Sequence, residues 1–321
     1  IVPAFTWIST ANVVEHLGGR VIFADIDLST FNIDPAGIES LITSRTKAIL
    51  PVHLFGLSAD MKAINLIAQR HNLWVVEDAA CGFGATFNGQ HVGHLGDTGC
   101  FSFHPRKAIT TGEGGMITTN NADLAKRLRC LRDHGAAISD LQRHMGPRPY
   151  LLADHPEAGY NQRMTDLQAA LGVAQMQRAA GIVIERRQLA ATYDAAFADL
   201  DWLQTPVAPD GYGHGYQSYP CLFEPKQVMK AIQSGDKQLL DEVCKRRNVW
   251  MEELQQQGIS TRPATHAVHM LSYYKEKYDL RADQFPAAKA ANDCSISLPL
   301  FHGMRADEQK HVIDVVCSRF V

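Results

Sequence analysis

Residues 47–78, "KAILPVHLFGLSADMKAINLIAQRHNLWVVED", place a strand, a helix and a second strand in succession. "KAILPVH" and "LWVVE" are apolar runs without polar alternation, the pattern of strands covered on both faces. Between them Met61, Ile64, Ile67 and Ala68 share one helical face, and Asn72 is suited to a left-handed stop. This spacing predicts parallel strands joined by a right-handed crossover. "RVIFADI" (20–26) adds a strand upstream. "GCFSFH" (99–104) and "GGMITTN" (114–120) add two downstream, and "ADLAKRLRCLRDHG" (122–135) reads as a helix ending near Gly135. The expected fold class is α/β, a mostly parallel sheet sandwiched by helices.

Further out the pattern loosens. Residues 136–160 carry Pro147, Pro149 and Pro156 and read as a surface excursion. "TDLQ" at Thr165 fits a capping box. Leu167, Leu171, Ala174 and Met176 open an apolar face on a helix running to about Leu200, with Gly172 and Gly181 as candidate bends. After Pro206 a Gly/Tyr/His loop precedes a strand at "CLF" (221–223) and a helix at 237–258. Strands at "GISTRP" (258–263) and "DCSISLPL" (293–300) and a closing helix at 306–320 follow. This predicts a large domain over 1–200 and a smaller C-terminal α+β domain over 201–321.

Composition narrows the class. The 321 residues are 45% hydrophobic and 20% charged, ordinary for a soluble globular protein. A net charge of −3 argues against a nucleic-acid surface. No apolar run approaches the roughly 18 residues that would span a bilayer, so no membrane segment is expected. Seven cysteines without a C-x-x-C pair fit a reduced, cytoplasmic setting. Ile1 is not Met, and "IVPAF" already reads as a buried strand, so a trimmed N-terminus or a fragment is expected.

In an open α/β sheet, ligands bind beyond the carboxyl ends of the strands. Asp78 follows "LWVVE" at that edge, where it could hold a cationic ring nitrogen, bind a metal, or cap a turn. Lys107 follows the next strand. It is either a solvated loop lysine or, with its pKa lowered, a nucleophile toward a carbonyl. Ser102 and the turn at Gly112, Gly114 and Gly115 lie beside it, suited to an anion. Phe5 and Trp7 follow the first strand, and core packing or stacking on a flat ring is open to either. Pyridoxal phosphate requires such a set: a reactive lysine, an acid for the pyridine nitrogen and a phosphate cradle. The pairs His91/His94 and His266/His269 lie in loop-like sequence without helical metal-ligand spacing, so no metal is expected.

"VVEDAACGFGA", "GDTGCFSFHPRKAITTGEGGMITTN", "LRDHG" and "GYNQRMTDLQAALGVAQM", with "PAFTW", "PVHLFG" and "SLPL", resemble the nucleotide-sugar aminotransferases of DegT/StrS type, among the fold-type I pyridoxal phosphate enzymes. The resemblance covers nearly the whole chain. It implies that Lys107 bonds the cofactor and later shuttles a proton, and that Asp78 keeps the pyridine nitrogen protonated. Ser102 would contact the phosphate and Trp7 would lie over the ring. Asn161 would reach the phosphate of a neighbouring subunit, which implies a homodimer with shared sites. L-Glutamate and a nucleotide-linked keto sugar would be the substrates, and His269 would contact the sugar at the entrance.

The sequence departs from that pattern twice. Cys81 stands where members often carry Gln or His against the cofactor's phenolic oxygen, and a thiol is a weaker hydrogen-bond partner. The Ser/Gly-Thr segment that donates to the phosphate upstream of the first strand is not in the sequence. A sugar dehydratase of the same family is disfavoured because those relatives replace the lysine with histidine. A non-catalytic regulatory protein on the same fold is the alternative of a different class. A NAD-dependent dehydrogenase lacks its glycine fingerprint here.

Overall fold

The computed structural model describes residues 1–320 apart from 139–141, 143–144, 147–149 and 151, so part of the expected surface excursion lies outside the described residues. Along the chain come β1 (Val2–Pro3), β2 (Phe5–Thr6), α1 (Ser9–His16), β3 (Phe23–Ala24) and β4 (Ala48–Ile49). Then follow α2 (Met61–His71), β5 (Trp74–Asp78), the short pair β6 (Thr86–Phe87) and β7 (Gln90–His91), β8 (Thr98–Ser102) and β9 (Gly115–Thr118).

The central unit forms as its sequence predicts. Asp60 caps α2, its Oδ1 accepting the Ala63 N–H at 3.0 Å. Met61, Ile64, Ile67 and Ala68 are its buried residues, and Asn72 ends it at φ 50°. That face packs with Ile38, Ile49 and Val75 in one core cluster. The sheet order is β4-β5-β8-β9. The pairs β4/β5 and β5/β8 are parallel, whereas β8/β9 is antiparallel with Ser102 opposite Gly115. The carboxyl ends of β5 and β8 therefore lie side by side. The fold is the α/β fold expected.

α3 (Ala122–Leu131) precedes α4 (Asp166–Phe197), 32 residues opened by the Thr165–Gln168 capping box. Gly172 and Gly181 do not break α4. Each costs a helix about 1 kcal/mol, which the flanking turns outweigh. Burial on α4 begins at Ala179 and runs to Phe197, while Leu167, Leu171 and Met176 stay exposed. Beyond it, β10 (Leu203–Gln204), β12 (Tyr219–Phe223) and β14 (Ser295–Leu298) form an antiparallel sheet. β11 (Tyr212–Gly213) joins the β6/β7 pair, and β13 (His266–Ala267) pairs with β2. "GISTRP" forms no strand: only Arg262 bridges, to Ser297. Pro225–Ser234 is a further helix not expected above, with Pro at its start and Gly235 at its end. The largest core cluster draws Phe5 and Tyr193 from one side of residue 200 and Tyr219 and Trp250 from the other.

One buried hydrogen-bonded pair braces the sheet edge. Glu77 and His53 are both fully buried, with Nε2 2.7 Å from Oε2. His53 Nδ1 accepts the Ala59 N–H, so Nε2 carries the proton that Glu77 accepts. Gly93 and Gly96 N–H groups donate to the same carboxylate at 2.6 Å. Burial alone would push Glu77 up, but His53 and the two N–H groups together hold it below its ordinary 4.5. A depressed carboxylate stabilises the fold above its unfolded pKa, and that contribution is lost as pH falls through the folded value. His53→Ala, which strips one partner from a buried charge, is expected to cost about 3 kcal/mol at neutral pH. The difference from the unsubstituted chain should narrow below about pH 4, as read from urea midpoints across pH.

Candidate active site

Asp78 is the last residue of β5 and is fixed through its main chain: its N–H donates to the Pro51 carbonyl at 2.8 Å, and its carbonyl accepts the His53 N–H at 3.0 Å. Its carboxylate is held at both oxygens. Thr10 Oγ1 donates to Oδ2 at 2.7 Å, and the Ala80 N–H donates to Oδ1 at 3.1 Å. Asp78 thus caps its turn through Ala80. The Thr10 bond, from 68 residues away, goes beyond it.

Lys107 lies just past β8, in a turn where its N–H donates to the His104 carbonyl at 2.9 Å. Its Nζ sits 3.2 Å from Cys81 Sγ, three residues after Asp78. The structure therefore brings Lys107 and Cys81 into direct contact, on the loops that leave two adjacent parallel strands. Ser102 ends β8, and its Oγ accepts the His104 N–H at 3.4 Å. The glycines beside it serve packing as much as space. A Cβ on Gly114, at φ 155°, would fall 2.4 Å from Thr111 Oγ1, and one on Gly115 2.6 Å from the Phe101 carbonyl oxygen.

Trp7 opens toward solvent at 54% exposure, its ring 5.6 Å from that of His266. β2 and β13 pair Thr6 with His266 and so bring the two rings together. Sequence reasoning weighed His266 only as half of a metal pair; no local pattern foretold its pairing with β2. His269, expected at the sugar entrance, is instead a core residue. It is 1% exposed, packs 4.7 Å from the Phe285 ring, and burial lowers its pKa to about 4. A ring so enclosed has no open path to a sugar, which corrects that expectation. Asn161 is exposed and bridges Asp133, with no hydrogen bond among the described residues to Lys107, Asp78 or Ser102. Among the described residues no three His, Cys, Asp or Glu side chains converge on a metal position.

The donor set suits a pyridine ring bearing an aldehyde and a phosphate. Lys107 offers an amine and Asp78 a carboxylate held by two donors. Trp7 offers an open aromatic face, and Ser102 a hydroxyl at a strand end. An open α/β sheet with that set at its carboxyl edge defines the fold-type I pyridoxal phosphate enzymes. The chain belongs, over residues 1–317, to the DegT/DnrJ/EryC1/StrS aminotransferase family. It is 39% identical over 316 residues to GDP-perosamine synthase of Caulobacter vibrioides, covering 98% of this chain and 76% of that protein. It is 35% identical over 317 residues to the spore coat polysaccharide biosynthesis protein SpsC of Bacillus subtilis, covering 98% and 77%. The PLP form of Spr1654 from Streptococcus pneumoniae superposes with a TM-score of 0.83 at 25% identity, covering 98% of this chain and 78% of that one. The protein is an aminotransferase of sugar biosynthesis, and its cofactor is pyridoxal phosphate.

Proposed function

We propose that the enzyme takes its amino group from L-glutamate and delivers it to a keto sugar carried on a nucleoside diphosphate, as a step in polysaccharide or glycoside assembly. The observation that carries this reading is the meeting of Lys107 Nζ with Cys81 Sγ at 3.2 Å beside a pinned Asp78 carboxylate. When bound, pyridoxal phosphate supplies an electron sink that lets an amino group and a proton pass together from one carbon to another. Lys107 Nζ takes and returns that proton. Asp78 would hold the ring nitrogen with a charge that its two donors keep oriented. Trp7 would lie against the ring and Ser102 would hold the phosphate, while Cys81 sits beside the Lys107 amine. Both half-reactions use one site, so the kinetics are ping-pong.

The same reading takes the enzyme as a homodimer in which Asn161 serves the neighbouring subunit's phosphate. Its exposure supports this. So does the exposed apolar surface of Leu167, Leu171, Val173 and Met176 on α4, with Met116 and Ile117 on β9. This reading assigns the site to a large domain over 1–200, with 201–321 as a smaller C-terminal domain. The test is to supply pyridoxal phosphate, L-glutamate and a panel of nucleoside-diphosphate keto sugars, following 2-oxoglutarate and the amino sugar together. Equal release of both with one sugar is the expected result. Amino transfer to free keto acids but to none of the sugars would overturn the reading.

A further inference from the structure

We infer that Thr10 is a positioning residue for the cofactor ring, acting through Asp78; the inference rests on the proposed role of Asp78. Thr10 is 4% exposed on the first turn of α1, yet its hydroxyl is not spent on its own helix. It crosses to the sheet edge and donates to Asp78 Oδ2 at 2.7 Å. A carboxylate bonded through one oxygen can still rotate about its last bond. Asp78 is bonded through both, by Thr10 at Oδ2 and by the Ala80 N–H at Oδ1, so the plane of the carboxylate is set. The Ala80 contact is local and would form in many turns. The Thr10 contact is the one that ties the carboxylate to a separate element.

That element also carries Trp7. The Thr10 N–H donates to the Trp7 carbonyl at 3.3 Å, so indole and hydroxyl belong to one turn. One hydroxyl thus links the group expected on the ring face to the group expected at the ring nitrogen, and fixes the slot between them. Thr6 is a built-in comparison. It is 1% exposed, and its hydroxyl lies 3.4 Å from that of Thr10, so the two side chains share one buried environment. The hydrogen bond to Asp78 comes from Thr10.

The experiment measures pyridoxal phosphate affinity by titration without substrate, together with the pH dependence of the bound cofactor's visible absorption. Thr10→Val keeps the shape and removes the donor. A hydrogen bond to a charged group is worth enough that affinity should fall about 10-fold, and the pH midpoint of the absorption should move. Thr10→Ser, which restores the donor, should recover both to within about 3-fold. Thr6→Val should leave the midpoint in place even if thermal stability falls. If Thr10→Val does not fold, Thr10→Ala against Thr10→Ser makes the same comparison with less steric change. Unchanged affinity and midpoint in the donor-free variant, or no recovery with serine, would overturn the inference. Asp78→Asn, titrated alongside, separates this from a failure of the underlying reading: if it too binds and titrates as the parent does, Asp78 itself has been misassigned.

Discussion

Lys107→Ala is expected to lose the visible absorption of lysine-bound cofactor and to lower amino transfer by at least about 10³-fold. The substitution removes the amine that must both bond the cofactor and carry the proton. Among the side chains brought to this edge, Asp78, Ser102, Cys81 and Trp7 offer no second amine. Lys107→Arg should fare little better, since a guanidinium keeps the charge but does not act as a nucleophile at neutral pH. Stability should change little, because the side chain is only half-buried and its hydrogen bond is to a thiol. Single-turnover kinetics with L-glutamate, with circular dichroism melting as a control, provide the check. Activity within about 10-fold of the unsubstituted enzyme would contradict the assignment.

Asp78→Asn is the second large effect, with an expected loss of about 10²–10³-fold in the glutamate half-reaction. The amide is nearly the same shape but carries no charge, so the ring nitrogen loses its electrostatic partner in a partly enclosed site. The geometry adds a second cost. Asp78 accepts at both oxygens, and an amide has one oxygen and one NH₂. If its oxygen faces Thr10, the NH₂ group meets the Ala80 N–H, donor against donor. If it flips, Thr10 must turn its hydroxyl and accept. Either way a modest loss of stability, about 1 kcal/mol, should accompany the kinetic loss. A mutant that keeps full activity would remove Asp78 from the mechanism.

The parts of this fold that could be read in advance are those where local chemistry and tertiary packing agree. α2 is the plainest case: the apolar face at Met61, Ile64, Ile67 and Ala68, the Asp60 cap and the Asn72 stop all lie within one window. The placement of Asp78 and Lys107 at neighbouring strand ends was legible because one closes and the other follows an apolar run. Elsewhere local pattern and tertiary surroundings part company. Leu167, Leu171 and Met176 have helical periodicity but face solvent in the single chain, since periodicity shows a face without showing what covers it. "GISTRP" has strand-like residues but only one bridge partner. His269 and His266 differ by three positions and have opposite fates, one enclosed against Phe285 and one beside Trp7. Nothing in the sequence around Thr10 foretold its contact with Asp78, because that partner lies 68 residues away.

The most direct test of the central claim is to load the enzyme with pyridoxal phosphate, reduce it with borohydride, and map the modified peptide. The account predicts one dominant adduct, on Lys107 within "FHPRKAITTGEGG", at close to one per chain, and its loss when L-glutamate is added before reduction. An adduct spread over surface lysines, or one that L-glutamate leaves unchanged, would contradict it.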